Sequence, residues 1–273
     1  MHLGEGPEML DEDAVRRALV AADLRPHSLV ITSLDSQAAS INIEPDRYLY
    51  PASMLKTPLA AAALELVQRG ELHLETPFVV YEGCITANDT DSPFILGYRS
   101  PLEFILERAI THSDNVATNM LFDICGRERA SRIVQEIFGL PDTAFFRKLS
   151  GSEPLIVDPQ WDGTHRNRHS ARDAARLFEL IAHDHVPHAE RLRNMLAKQY
   201  YNNKLSVGLD PNDRFEHKTG DTDEVTHDGG ILRLPSGARY VVVVYTGLES
   251  TDAHNERFGH FMKSIRPLLE PSR

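Results

Sequence analysis

Cysteine is nearly absent from this chain. Cys84 and Cys125 are the only two in 273 residues, too few for a disulfide framework, and their apolar neighbours suit ordinary buried thiols. Positive charge is also scarce: 29 Lys and Arg face 40 Asp and Glu, a formal net charge of −11. That balance argues against a nucleic-acid partner, because such binding rests on neutralising phosphates. No run reaches the ~20 apolar residues of a bilayer-crossing helix, so no membrane partner is expected. The start, Met1-His2-Leu3-Gly4-Glu5-Gly6, has neither a basic leader nor an apolar stretch. A cytoplasmic chain is expected, or a periplasmic or secreted one if a leader has been removed. Internal repeats and low-complexity segments are lacking too.

What is present is globular in balance, with 41% hydrophobic and 25% charged residues. The length suits one large domain or two interleaved lobes. Helical spacing marks Asp11 to Leu24, about Ser53 to Arg69, Leu102 to Ile110, Val116 to Cys125, Ala130 to Phe138, Ala171 to Ala182, Ala189 to Lys198 and the tail from Asp252 to Leu269. In the second of these, Leu55, Leu59, Ala62 and Leu66 form one apolar stripe and Gly70 closes the helix. Ser28 to Leu34, Ala38 to Ile43, Arg214 to His217, Val225 to Leu234 and Arg239 to Tyr245 read as strands. Asp35-Ser36-Gln37 and Pro235-Ser236-Gly237 fit hairpin turns. The expected fold is α/β (α+β): a five-stranded antiparallel sheet covered by the terminal helices, from about 1–52 and 206–273, with an all-helical lobe over about 53–205.

Three short motifs carry the chemistry, in chain order: Ser53-Met54-Leu55-Lys56, Ser113-Asp114-Asn115 and Lys218-Thr219-Gly220. A serine hydroxyl needs a base and a charge-stabilising pocket before it acts as a nucleophile. Positions i and i+3 share a helix face, which brings Lys56 within reach of Ser53. A neutral Lys56 would take the proton if burial and a second cation, Lys218, depress its pKa. Ser113 would relay a proton to the leaving nitrogen, and Asn115 would hold a substrate amide and orient Lys56. Asp114, between two groups that face the cleft, would point inward to fix the loop. Thr219 and Gly220 on a strand edge would hold an acyl substrate, and the backbone N–H groups of Ser53 and Asp221 are candidates for the oxyanion hole. The inventory is that of a serine acyl-enzyme hydrolase, with no cofactor and no metal. His183-Asp184-His185 with His188 lacks a further ligand pattern and reads as a solvated connection. His112 and His217 adjoin motifs, but alternation points them away from the cleft.

With these motifs the chain resembles the class A β-lactamases and penicillin-binding proteins over nearly all its length. Lys56-Thr57-Pro58-Leu59, Arg69-Gly70-Glu71-Leu72 and Ser113-Asp114-Asn115-Val116-Ala117-Thr118-Asn119 extend the similarity. The resemblance implies the nucleophile at Ser53, the base at Lys56, the proton relay at Ser113 and the carboxylate-side lysine at Lys218. It also implies a β-lactamase/transpeptidase-like fold and a small-molecule acyl substrate: a β-lactam, a D-peptide or an ester. A monomer or small homo-oligomer is expected.

Two features depart from the family. Class A enzymes carry an E-x-x-L-N segment whose glutamate activates the deacylating water, and none occurs between Arg147 and Gly163. Glu153, Asp158 and Asp162 are the acids available there, with Glu153 the first candidate. Acylation at Ser53 with slow deacylation is therefore expected. The long connection from Phe146 to Asn167 would be a substrate-shaping lid, with the single tryptophan, Trp161, closing over a ligand or packing onto the lobe. Secondly, Asp221, Asp223 and Glu224 place three carboxylates beside the binding edge, which would disfavour anionic lactams. A D-amino-acid peptidase or esterase of the penicillin-binding type is the alternative function, and a non-catalytic ligand-binding scaffold the third.

Overall fold

The computed structural model describes residues 10–35, 40–86, 91–151 and 154–270. In chain order the elements are α1 (Glu12–Ala21), β1 (His27–Ser33), β2 (Ser40–Ile43), α2 (Lys56–Gln68), β3 (Pro77–Val79), β4 (Arg99–Pro101), α3 (Leu102–Thr111), α4 (Asn115–Cys125) and α5 (Arg127–Glu136). There follow α6 (Ala171–Ala182), α7 (Ala189–Ala197), β5 (Arg214–Asp221), β6 (Thr226–Arg233), β7 (Arg239–Thr246) and α8 (Asp252–Ile265). The five long-range strands form one antiparallel sheet in the order β2-β1-β7-β6-β5. Part of the first expected hairpin turn, with Ser36 and Gln37, and the start of its second strand lie outside the described residues.

Side chains alternate across a strand, and each face of this sheet has its own cover. Leu29, Ile31, Leu232, Val242 and Val244 pack with Val15 and Leu19 of α1 and Phe258, Phe261 and Ile265 of α8. Val30, Ile231, Val241, Val243 and Tyr245 face the helical part, where Leu177, Phe178 and Ile181 of α6 meet them. The terminal helices thus cover one face, as the sequence predicts, and α6 covers the other.

The helical part contains one element that periodicity did not mark, a short ribbon of β3 and β4. More important is α2. Its sequence predicts an apolar stripe, yet Lys56 through Leu64 are buried on every side. A helix without a polar face belongs in the core, and the alanines at 60–63 let neighbouring helices approach closely. The predicted start near Ser53 also shifts: residues Ala52–Leu55 form a 3₁₀ turn, and the α-helix begins at Lys56. The central helix thus gives the reactive turn at its N-terminus a rigid mount.

Candidate active site

Ser53 sits in the 3₁₀ turn, preceded by Ala52 at φ +47, a left-handed conformation that costs a non-glycine residue energy. The first hydrogen bond of the turn runs from Met54 N to Pro51 O (3.0 Å). The N–H of Ser53 precedes it, so the turn itself supplies no acceptor for that group. Lys56 is fully buried. Its Nζ donates to Asn115 Oδ1 (2.7 Å), to Ser113 Oγ (3.2 Å) and to the Ser113 carbonyl. Ser113 has φ +56, and this left-handed kink turns both of its oxygens toward the ammonium. Asp114 points inward as expected: its carboxylate accepts from Ala117 N (2.9 Å), capping α4, and lies 3.7 Å from Arg108.

The third motif lies on β5, one of the two edge strands of the sheet. A Cβ on Gly220 would stand 3.1 Å from Pro51 O and 3.2 Å from Ala52 Cβ. The glycine is what allows β5 to lie against the turn that carries Ser53. Lys218 is buried, with Nζ donating to Thr219 O at 3.0 Å. Burial first, and then the charge of Lys56, hold the Lys218 ammonium well below the ordinary lysine range.

A cavity of about 460 Å³ opens over this arrangement, lined by Ser53, Asn115, Asp221, Tyr50, Leu149 and Arg166 among others. Lys56, Lys218, Thr219 and Gly220 are buried behind its wall. The three motifs therefore converge, with the serine in the cavity and both lysines beneath it.

Among its described residues, the connection from Phe146 to Asn167 is fastened at both ends. Asn167 accepts from Phe146 N (2.6 Å) and Arg147 N (3.0 Å) and donates to Arg147 O (2.9 Å). Asn119 accepts from Leu149 N (2.8 Å) and donates to Leu149 O (2.9 Å). Trp161 packs within the loop, its Nε1 donating to His165 O (2.8 Å) and its ring lying 4.8 Å from the Arg147 guanidinium. Of the candidate acids, Asp158 is corrected: it is a buried bidentate partner of Arg127 (2.7 Å for both bonds) and faces a neighbouring cavity. Asp162 is corrected as well. It accepts from the backbone N–H groups of Thr164 and His165 and from the His165 ring, which hold its carboxyl down to about 2, and it lies on the outer side. Glu153 lies outside the described residues. On the loop side the cavity's described lining includes Arg147, Leu149, Ser150 and Leu155, none of them a carboxylate.

Three of the histidines noted in the sequence are held by structural contacts. His217 bonds Asp228 (2.7 Å) inside the sheet, His112 stacks on Tyr200, and His183 meets the carbonyls of Glu179 and Leu34. Among the described residues no group of three or more His, Cys, Asp or Glu gathers as a metal site. One cation escapes sequence reading. Lys204 follows Asn202-Asn203 in a loop, a context that reads as solvated, yet it is buried with Nζ 2.6 Å from Asp221 Oδ1. Glu224 also has a partner, Arg166 at 3.0 Å. Two of the three carboxylates at the binding edge are therefore paired. Only the fold reveals this, because the partners lie in distant segments.

Comparisons with known proteins agree with this fold. The extended-spectrum β-lactamase PER-1 of Pseudomonas aeruginosa is 25% identical over 208 residues, 71% of this chain and 66% of PER-1. The matched part thus falls just short of two thirds of that relative. PBP-A superposes with a TM-score of 0.82 at 25% identity, covering 96% of this chain and 97% of PBP-A. A leucine-to-glutamate mutant of PBP-A, solved as its acyl-enzyme complex with penicillin G, gives 0.81 at 25% identity over 95% and 97% of the chains. The model of the β-lactamase enzyme family matches residues 12–265, and with the three motifs gathered around one cavity this chain belongs to that family.

Proposed function

We propose that this protein is a serine hydrolase that acylates Ser53 with a β-lactam or a related acyl compound and releases the product slowly. The observation that carries the reading is the convergence of the Lys56 ammonium on Ser113 and Asn115 beneath the turn that bears Ser53. The Ser53 hydroxyl attacks the acyl carbonyl as its proton passes to Lys56 in its neutral form. The N–H groups of Ser53 and Asp221 hold the developing oxyanion. Ser113 passes a proton to the leaving nitrogen, the C–N bond breaks, and an ester remains on Ser53. Water then hydrolyses the ester to the acid and restores the serine.

The slow second step rests on Leu149. It lines the cavity with Ser53, and an isobutyl group cannot take a proton from water. That a mutant of PBP-A forms an acyl-enzyme with penicillin G supports lactam acylation on a scaffold of this fold. The position of Leu149 also favours a second reading, a peptidase or esterase acting on D-amino-acid amides and esters, for which lactam turnover is incidental.

The test is incubation with penicillin G, digestion and peptide mapping by mass spectrometry. The expected adduct lies on the peptide containing Ser53 and vanishes in Ser53→Ala. An adduct or turnover that survives this substitution refutes the mechanism. A panel of D-amino-acid esters and amides separates the two readings by relative rate.

A further inference from the structure

Asp221 is the last residue of β5, directly after Lys218-Thr219-Gly220, and lines the same cavity as Ser53. Its Oδ1 accepts from Lys204 Nζ (2.6 Å), Ser250 Oγ (2.6 Å) and Thr226 Oγ1 (3.2 Å). Lys204 is 1% exposed at its side chain, whereas that of Asp221 is 40% exposed. The same ammonium donates to Gly220 O (3.3 Å) and His227 O (3.0 Å). Three acceptors thus match its three N–H bonds, and its charge is committed to Asp221. Burial opposes the charge on Asp221, but Lys204 and Ser250 outweigh it and hold the carboxyl below its usual range.

We infer that Asp221 determines substrate specificity by filling, with the protein's own carboxylate, the cationic end of the cleft, so that the site selects acyl substrates lacking a carboxylate next to the scissile bond. The inference rests on Ser53 being the acylated residue, with a substrate extended along β5. The Asp221 N–H faces the reacting carbonyl in that arrangement, so its side chain lies within one residue of the reaction. A substrate carboxylate arriving there meets a like charge, and Lys204 is already neutralised. Of the two arginines lining the cavity, Arg166 is paired with Glu224 (3.0 Å) and stacked 4.2 Å over Tyr50, and Arg147 lies on the loop side with its guanidinium 4.8 Å over the Trp161 ring. Neutral or cationic amides and esters meet no such penalty.

Two thioesters of N-phenylacetylglycine test this, one leaving as thioglycolate and the other as thioglycolamide, so that only a carboxylate distinguishes them. The wild type is expected to acylate from the amide faster by roughly tenfold, the scale of one like charge at a partly solvated site. Asp221→Asn, which keeps the shape and an acceptor for Lys204, should abolish or reverse that ratio. Asp221→Ser serves the same purpose if the first variant folds poorly. Asp223→Asn removes the same unit charge from the neighbouring position and should shift the ratio by less than about twofold, because screening weakens an exposed charge. Faster reaction of the wild type with the thioglycolate ester, or a ratio unchanged in the Asp221 variants, overturns the inference. Failure of both thioesters and of a fluorophosphonate to modify Ser53 overturns instead the acyl-enzyme reading beneath it.

Discussion

The Lys56 ammonium and the Asn115 side-chain carbonyl lie 2.7 Å apart, joining the first residue of α2 to the first residue of α4. Neither helix alone presents a reactive site. Their meeting fixes the base under the nucleophile turn and orders the only polar group that α4 offers to the cavity. Lys56→Met should lower the acylation rate by roughly 10²–10⁴-fold, the usual contribution of a positioned base. Asn115→Ala should cost less, because Ser113 still accepts from the ammonium. Stopped-flow acylation with a chromogenic cephalosporin measures both, and equal rates in Lys56→Met and the wild type would remove Lys56 from the mechanism.

Gly220 marks a tight approach between the sheet and the reactive turn, with Pro51 O only 3.1 Å from where a Cβ would stand. Gly220→Val should push β5 from the turn, lower stability by about 1–3 kcal/mol as overpacking does, and abolish labelling of Ser53. Gly220→Ala should show a weaker form of both effects. Thermal unfolding and fluorophosphonate labelling read them together.

Leu149→Glu places a carboxylate at the wall of the cavity that holds Ser53, on a backbone already clamped by Asn119. Deacylation of a penicilloyl ester should rise by about 10²-fold, at the low end of general-base catalysis, while acylation changes little. Decay of the adduct mass with time measures the effect. An unchanged adduct lifetime would mean that something other than a missing base limits release.

Two buried histidines set the acid limit of stability. Burial pushes His227 down to about 4 and His169 down to about 3, so the folded state keeps them neutral while the unfolded chain protonates both near 6.5. The unfolded state then binds more protons, and stability falls as pH drops below about 6.5. At pH 5 the loss from His227 alone is about 2 kcal/mol relative to pH 7.5. His227 Nε2 also donates to Tyr50 O (2.8 Å), just before the reactive turn. His227→Asn should therefore lose less stability between pH 7.5 and pH 5 than the wild type. Equal pH sensitivity in the two proteins would contradict the assignment.

Much of this architecture was legible in the chain. The five strands announced themselves through β-branched runs such as Val241–Val244, and the motifs placed Ser53, Lys56, Ser113 and Lys218 near one another by chemistry alone. Legibility ended where a residue's role depends on distant partners. Asp158 reads as an available acid until Arg127 takes it. Lys204 reads as a solvated loop charge until the fold buries it against Asp221. Leu149 carries no chemical signal, and only the fold places it in the lining of the cavity that holds Ser53. The burial of α2 on all sides was hidden for a similar reason: alanines score weakly in an apolar stripe, yet they are what a crowded helix requires.

The central claim is that an ester forms on Ser53 and leaves slowly. Rapid mixing with one chromogenic cephalosporin, followed from the first turnover into the steady state, tests it most directly. A burst equal to the enzyme concentration, followed by a much slower steady rate, with both lost in Ser53→Ala, is the predicted result. Linear turnover without a burst, or activity that persists in Ser53→Ala, would contradict it.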